Sequence, residues 1–189
     1  MFQPSVASSK YLNELQAALE NFPTQEVEKV ASVILEDRIN KTLFVAGNGG
    51  SATTASHMVT DLGVGSQKHG YGIRAIGLVD NQGVITATSN DLSYDQIFSE
   101  QLRLLAKPDD LFLAFSASGN SKNLVNAFKV AKDMNVKTIA ITGFDGGEIM
   151  KTADFSIHIR TDIGSYGVVE DVHSVISHLI TQLIRNNGK

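Results

Sequence analysis

The sequence contains no cysteine among its 189 residues, no long apolar run and no excess of positive charge. Without cysteine the chain forms neither disulfides nor thiolate metal sites, and a reducing compartment is weakly favoured. No apolar run approaches the ~20 residues needed to span a bilayer, and the N-terminus lacks the basic and apolar regions of a signal peptide. The formal net charge of -4 provides no basic surface for nucleic acid. These absences predict a cytoplasmic protein that binds neither membrane nor nucleic acid.

The composition is that of an ordinary globular protein, with 42% hydrophobic and 19% charged residues. The length suits one domain with a core of its own. Because no linker or low-complexity segment interrupts the chain, we expect a single domain over residues 1–189.

From residue 42 onward, short apolar runs alternate with amphipathic segments. The runs predict strands over residues 42–46, 73–78, 111–115, 137–141 and 155–159, and the segments predict helices over residues 51–62, 94–105, 120–133 and 168–186. Near-continuous apolar strands separated by helices indicate a doubly wound, five-stranded parallel α/β sheet with helices on both faces. Such sheets bind ligands at the carboxyl ends of their strands, where the strand order switches.

Two further helices are predicted before the first strand, over residues 8–21 and 24–39. A minimal βαβ unit does not require them. They would pack either against their own sheet or against a second subunit, and we favour the second subunit.

A glycine turn follows the first strand and leads into a helix. The turn contains Gly47, Asn48, Gly49 and Gly50, and glycine lets a ligand approach the backbone closely. Ser51 is placed to cap the following helix, whose free N–H groups form an anion site. On that helix His57 and Asp61 are four residues apart and share a face. The stretch therefore predicts a phosphate site beside an acid–base or metal pair.

A similar pattern recurs after the third strand. LFVA at residues 43–46 precedes the glycine turn, and LFLA at residues 111–114 precedes the serine loop SASGNS at residues 116–121. The echo predicts two loops at one edge of the sheet. Three hydroxyls, an amide and a helix N-terminus form a neutral phosphate cradle, although a serine-rich turn that only caps the helix has the same pattern. Neither loop has the lysine of a P-loop, which disfavours nucleotide hydrolysis.

Several other signals have two interpretations. Residues 47–52 match the loose dinucleotide fingerprint G-x-G-x-x-A, with Asp80 as ribose partner, but Asp80 comes later than usual. Asp91 would bind sugar hydroxyls or cap the next helix, and Asp145 begins a turn with two glycines. On the last helix, Glu170 and His178 lie about 12 Å apart along the axis. Taken alone, His178 is more typical of a core histidine on an amphipathic helix.

Five motifs in order resemble the sugar isomerase (SIS) family: GNGGS, SNDLSYDQIF, SASGNS, TGFDGG and EDVHSVISHLITQLI. The resemblance covers nearly the whole chain. It implies a homotetramer of doubly wound α/β subunits with active sites between subunits. It also implies isomerisation of sedoheptulose 7-phosphate to D-glycero-D-manno-heptose 7-phosphate, a step of bacterial heptose synthesis for lipopolysaccharide or capsule.

The resemblance also assigns roles to residues. Asp61 would be the catalytic base and His178 the acid of an enediol mechanism. Zinc, or another divalent metal, would be held by His57, Asp61, Glu170 and His178. The phosphate and sugar would be bound by Asn48, Gly49, Gly50, Ser51, Asn90, Asp91, Ser116, Ala117, Ser118, Ser121 and Glu170.

The chain departs from the family pattern at several positions. The base is usually Glu, and Asp61 is one methylene shorter; Glu170 stands where Gln is usual. Ala117 stands where Thr is common, and residues 63–70 lack an arginine that the family's isomerases usually carry. These departures put the identity of the substrate in question.

The alternative is a non-catalytic SIS module that binds a phosphosugar or a protein partner, like a scaffold that associates with a replication initiator. A pure scaffold has no need of two histidines and two carboxylates that can bind a metal. The sequence therefore favours the isomerase.

Overall fold

The computed structural model describes residues 4–36, 38–68, 70 and 72–187. Five strands form one sheet: β1 Leu43–Gly47, β2 Ala75–Gly77, β3 Leu111–Ser116, β4 Lys137–Thr142 and β5 Phe155–His158. All neighbouring strands pair in parallel, in the order β2-β1-β3-β4-β5. The predicted doubly wound, five-stranded α/β fold is confirmed.

Helices cover both faces of this sheet. They are α1 Pro4–Glu20, α2 Thr24–Leu35, α3 Gly50–Thr60, α4 Gln82–Asp91, α5 Ser99–Leu105, α6 Lys122–Asp133, α7 Gly147–Thr152 and α8 Tyr166–Asn187. A π-helical turn, Asp61–Gly65, directly continues α3, and a 3-10 turn, Tyr94–Gln96, precedes α5. Among the described residues, no helix has both the length and the hydropathy that a membrane span requires.

The core lies in two layers because strand side chains alternate between the faces of the sheet. Val45 and Leu113 point to the layer that contains α1, α2, α3 and α8. Phe44 and Phe112 point to the layer that contains α5, α6 and α7. These strand side chains are at most 1% exposed, and burial stabilises the fold by about 1.5–3 kcal/mol for each such side chain.

The sequence echo has a direct structural counterpart. In the β1–β3 pair, Leu43 is opposite Leu111, and residues 44–46 continue in register with residues 112–114. The strand order reverses between these two strands, so the loops that follow them meet at the switch point of the sheet. The predicted meeting of the glycine turn and the serine loop at one edge is confirmed.

Several element boundaries differ from the predictions. The helix predicted over residues 94–105 is a 3-10 turn followed by the shorter α5, and β2 has three residues rather than six because this edge strand pairs only with β1. Helix α2 ends at Leu35 rather than at residue 39, and residue 37 of that prediction lies outside the described residues. Helices α4 and α7 were not predicted: α4 buries no residue and α7 has only six. Helix α4 therefore lacks an apolar period, and α7 is too short for such a period to be detected.

Candidate active site

The serine loop leaves β3 and enters α6, and its own backbone arranges its hydroxyls. Ser116 Oγ accepts a hydrogen bond from the Gly119 N–H at 3.0 Å, and Ser118 Oγ accepts one from the Asn120 N–H at 3.3 Å. Ser121 occupies the N-cap position of α6 but makes no side-chain capping bond. Since Ser116 and Ser118 act as acceptors, their hydroxyl protons can be donated to an anion.

The glycine turn leads from β1 into α3 through a left-handed residue. Gly49 has φ 55° and is the N-cap, so α3 begins at Gly50. The prediction that Ser51 caps this helix is wrong. Because the positive φ at Gly49 turns the chain early, Ser51 already lies within the first helical turn, where it is buried.

A cavity of about 140 Å³ lies between the two loops and the start of α8. Its lining residues are Asn48, Ser51, Phe115, Ser116, Ala117, Ser118, Ser121, Tyr166 and Glu170. All except Phe115 and Tyr166 were predicted to contact the substrate. Gly49 and Gly50 form the adjacent turn, whereas Asn90 and Asp91, at the end of α4, do not line the cavity.

A network of side-chain hydrogen bonds fixes Asn48. The Asn48 and Asn123 amides bond each other reciprocally, at 3.0 and 2.8 Å, and the Tyr94 hydroxyl donates to Asn48 Oδ1 at 3.0 Å. Sequence reasoning missed Asn123 and Tyr94, although Tyr94 lies within the SNDLSYDQIF motif and Asn123 is two residues after the serine loop. The network holds the amide of Asn48 in one orientation at the cavity wall.

A second cluster joins α3 and its π-helical continuation to α8. Ligand atoms of His57, Asp61 and His178 all lie within 4.8 Å of one another. His57 Nε2 is 3.7 Å from Asp61 Oδ2, and the two imidazole rings are edge to face with centroids 4.9 Å apart. Two imidazoles and a carboxylate are a donor set that zinc accepts, so the three residues fit a divalent metal.

His178 is exposed, and its interpretation as a core histidine is wrong. The core histidine of α8 is His173, which is fully buried against Phe115. Burial lowers the pKa of His173 to about 4, since the interior penalises the charged ring. His173 is therefore a neutral packing residue, and His178 is available for chemistry.

Glu170 lies on α8 two turns before His178 and outside the group of three. A Cβ at Gly50 would collide with the Glu170 carboxyl group, so the glycine admits this carboxylate to the start of α3. Helix α8 is continuous from Tyr166 to Asn187. The four predicted metal ligands thus divide into a group of three and a separate carboxylate that lines the cavity.

Comparison with known proteins establishes the family. A sequence profile of the SIS domain matches residues 10–143. The chain belongs to the SIS family. A probable phosphoheptose isomerase of Thermoplasma acidophilum is 38% identical over 181 residues, which cover 94% of this chain and 97% of that protein. The phosphoheptose isomerase of Sulfurimonas denitrificans is 37% identical over 163 residues, which cover 85% and 80%.

Solved structures of phosphoheptose isomerases have the same fold as this chain. A phosphoheptose isomerase from Francisella tularensis superposes with a TM-score of 0.89 at 26% identity and covers 99% of this chain and 100% of its own. The phosphoheptose isomerase of Neisseria gonorrhoeae gives 0.84 at 26% identity, with 96% of each chain covered. The predicted resemblance to the SIS family, and within it to phosphoheptose isomerases, is confirmed.

Three remaining predicted residues have structural surroundings of their own in this SIS domain. Asp80 accepts a hydrogen bond from the Ser56 hydroxyl and so joins the end of β2 to α3. Asp91 is the last residue of α4 and accepts from the Asn90 amide at 2.7 Å, while Ser93 takes the N-cap of the next turn, so the capping interpretation of Asp91 is wrong. Asp145 precedes Gly146 and Gly147, whose φ values of 87° and 63° confirm the predicted turn.

Proposed function

We propose that the protein is a phosphosugar aldose–ketose isomerase that converts sedoheptulose 7-phosphate to D-glycero-D-manno-heptose 7-phosphate. The observation that carries the proposal is that an acid–base cluster on α3, its π-helical continuation and α8 shares these two helices with a hydroxyl-lined cavity at the switch point of the sheet, since α3 and α8 also provide Ser51 and Glu170 to the cavity wall. Phosphoheptose isomerases among its relatives support the same reaction.

The serine loop binds the phosphate in this scheme. Ser116, Ser118 and Ser121 donate to the phosphate oxygens, and Ala117 leaves room in the middle of the loop. The glycine turn from Asn48 to Ser51, together with Asn90 and Asp91, contacts the sugar. Glu170 also lines the cavity, where its carboxylate accepts bonds from sugar hydroxyls. Binding energy from the remote phosphate holds the open-chain sugar in register.

Asp61 and His178 move the protons. Asp61 removes a proton from C1 of the ketose and returns it to C2, through a cis-enediol. His178 donates a proton to the carbonyl oxygen at C2 and accepts the proton from the hydroxyl at C1, so that both groups end in their starting states. A positioned acid or base of this kind accelerates proton transfer by about 100- to 10,000-fold.

In a second, metal-bound state, His57, Asp61 and His178 would hold zinc or another divalent metal, and Glu170 is the proposed fourth ligand. Atoms bound to the metal would carry no proton, so the proton transfers by Asp61 and His178 belong to the metal-free state. A bound metal would supply Lewis-acid polarisation of the sugar carbonyl. The ring of His57 faces Asp61, so His57 also orients the carboxylate that acts as base.

We further propose a single SIS domain that assembles into a cytoplasmic homotetramer with active sites between subunits, and a place in heptose synthesis for lipopolysaccharide or capsule. Two features support the assembly. His57 and His178 are exposed in one chain, and α4 buries none of its residues. A neighbouring subunit would cover both. No observation favours the non-catalytic alternative.

Turnover of sedoheptulose 7-phosphate by the purified protein, with and without zinc, tests the proposal. We expect Asp61→Asn and His178→Ala each to lower kcat by at least ~100-fold. Asp133→Asn, at the exposed end of α6, is the matched control and should retain full activity. Full turnover by both site variants would contradict the assigned roles, and an inactive wild-type protein would contradict the assigned substrate.

A further inference from the structure

Arg185 lies near the end of α8, seven residues after His178 and therefore on nearly the same face of the helix. Its Nη2 atom is 4.0 Å from Asp61 Oδ1. The other oxygen of that carboxylate, Oδ2, is 3.7 Å from His57 Nε2. The two oxygens of the proposed base thus face two different nitrogen groups, one on each side.

The chain also has a specific place for the guanidinium. Asp61 begins the π-helical turn and Gly65 ends it. A Cβ at residue 65 would lie 2.5 Å from Arg185 Nη2, so a side chain at this position would displace the guanidinium. Turns of this kind are frequent at functional sites. The glycine that closes the turn therefore leaves open the space in which Arg185 approaches Asp61.

Solvent only partly screens this pair. The side chain of Asp61 is 25% exposed and that of Arg185 is 38% exposed. A fully exposed ion pair contributes little, because water and salt weaken it and both side chains lose freedom. The partial burial here, together with the space at Gly65, distinguishes the Arg185 pair from an ordinary surface pair such as Arg103–Glu100, whose arginine is 54% exposed.

We propose that Arg185 is a positioning residue that holds the Asp61 carboxylate and competes with a divalent metal for it. The kinetic part of this inference rests on the proposed function, whereas the competition with metal does not. A metal bound by His57, Asp61 and His178 shares the carboxylate with the guanidinium, and the two cations repel each other. Asp61 has a short side chain with few ways to reach a substrate, so a second anchor determines where its carboxylate points.

Zinc affinity, measured by calorimetry on the full chain, tests the competition. Arg185→Gln removes the positive charge of the guanidinium and should bind zinc about tenfold more tightly than the wild type. The guanidinium repels a divalent ion more strongly than a monovalent one, although solvent weakens this repulsion at a partly exposed position. Arg185→Lys keeps the charge and should stay close to the wild type. Arg103→Gln, on the opposite face of the sheet, should not change the affinity.

The kinetic constants test the positioning. Assayed without added zinc, Arg185→Gln should lower kcat by about tenfold with little change in KM, since a misplaced base slows the chemical step without weakening ground-state binding. Arg185→Lys should recover part of the loss. If Arg185 had a purely structural role, Arg185→Gln would lower the melting temperature. The zinc affinity would then stay as in the wild type, and kcat would not fall while KM stays constant.

Unchanged or weaker zinc affinity in Arg185→Gln, or no zinc binding by either protein, would overturn the competition. An unchanged kcat in that variant would overturn the positioning. If the wild-type protein does not turn over sedoheptulose 7-phosphate, the proposed function fails, but the comparison of zinc affinities still decides whether Arg185 opposes the metal.

Discussion

The two histidines of α8 differ in role because they lie on different sides of the helix. The buried stripe of this helix contains Val169, Val172, Ile176 and Ile180, and His173 falls within it. His178 lies two residues after Ile176, on the other side of the helix. The sequence contained this information: the apolar period places His173 in the core and His178 outside. The interpretation of His178 as a core residue overlooked the phase.

His173 makes the stability of the protein depend on pH. Its pKa falls from 6.5 in the unfolded chain to about 4 in the fold, so between these values the unfolded state binds more protons. The contribution of the neutral His173 to stability is therefore fully present above pH 6.5 and is lost as the pH falls toward 4. For a buried group with a shift of this size, the loss amounts to about 3 kcal/mol.

Urea denaturation at several pH values between 4 and 7 measures this loss. His173→Gln removes the titrating group, so we expect its free energy of unfolding to vary less with pH than that of the wild type, whatever its absolute stability. Ile176→Val, a core substitution on the same helix that involves no titrating group, provides the control and should keep the wild-type slope. Parallel pH profiles for the wild type and His173→Gln would contradict a neutral buried histidine.

At the scale of elements, the sequence predicts what the core imposes. The strands are apolar because helices cover both faces of the sheet, and this signal placed all five correctly. The echo between residues 43–46 and 111–114 even indicated which loops would meet. Two features were not predicted. Helix α3 starts at Gly50 because the positive φ at Gly49 turns the chain there, and α4 was not detected because it buries no residue and so has no hydrophobic period.

The serine loop is held by a second turn that the sequence identified only as a turn. Gly119 has φ 64°, and a Cβ on it would collide with the backbone of Gly146. Two hydrogen bonds hold the two turns together: the Ile149 N–H donates to the Gly119 carbonyl at 3.0 Å, and the Glu148 N–H donates to the Asn120 side-chain oxygen Oδ1 at 3.0 Å. The shape of the serine loop therefore depends on a close approach that only glycine allows.

Gly119→Ala should lower the free energy of unfolding by about 2 kcal/mol or more, because it adds both backbone strain and a steric collision. The displaced loop should also raise KM for the sugar phosphate by at least ~10-fold. Chemical denaturation and steady-state kinetics measure the two effects. Gly83→Ala is the control: its Cβ would meet only Asn81 Oδ1, at 3.4 Å, and alanine favours the helix.

For Gly83→Ala we expect stability equal to or slightly above that of the wild type. Wild-type KM in Gly119→Ala would show that the serine loop keeps its shape without the glycine. Wild-type stability in the same variant would show that the two turns are not locked together as the structure indicates.

At the scale of the whole molecule, α8 carries three of the residues that the proposed function and the further inference use. Glu170 lines the cavity near its start, His178 joins the acid–base cluster in its middle, and Arg185 reaches Asp61 near its end. The sequence predicted that Glu170 and His178 serve one site only if it extends alongside the helix or if the helix bends. The helix does not break, so a site that used both residues would extend along it. No pattern in a single chain indicates which outer surface closes such an open site.

The proposed tetramer accounts for that open surface. The N-terminal helix α1 is tied to α8 by a hydrogen bond from the Tyr11 hydroxyl to Asp171 at 2.6 Å, which raises the pKa of Tyr11 to about 12. On the same helix Leu12 and Leu19 are 61% and 41% exposed, and they lie seven residues apart and so on one face of α1, which makes them a patch rather than a single exposed side chain. We infer that α1 presents Leu12 to a second subunit.

Light scattering after gel filtration should give a mass about four times 20.3 kDa. Leu12→Glu places a charge in the proposed interface, so it should lower the mass and the turnover together while the far-UV circular dichroism stays unchanged. Leu104→Glu, on α5 at the opposite face of the sheet, alters a side chain that is 81% exposed and should leave both quantities as in the wild type. A wild-type protein that is monomeric and fully active at the assay concentration would rule out an active site that depends on two subunits.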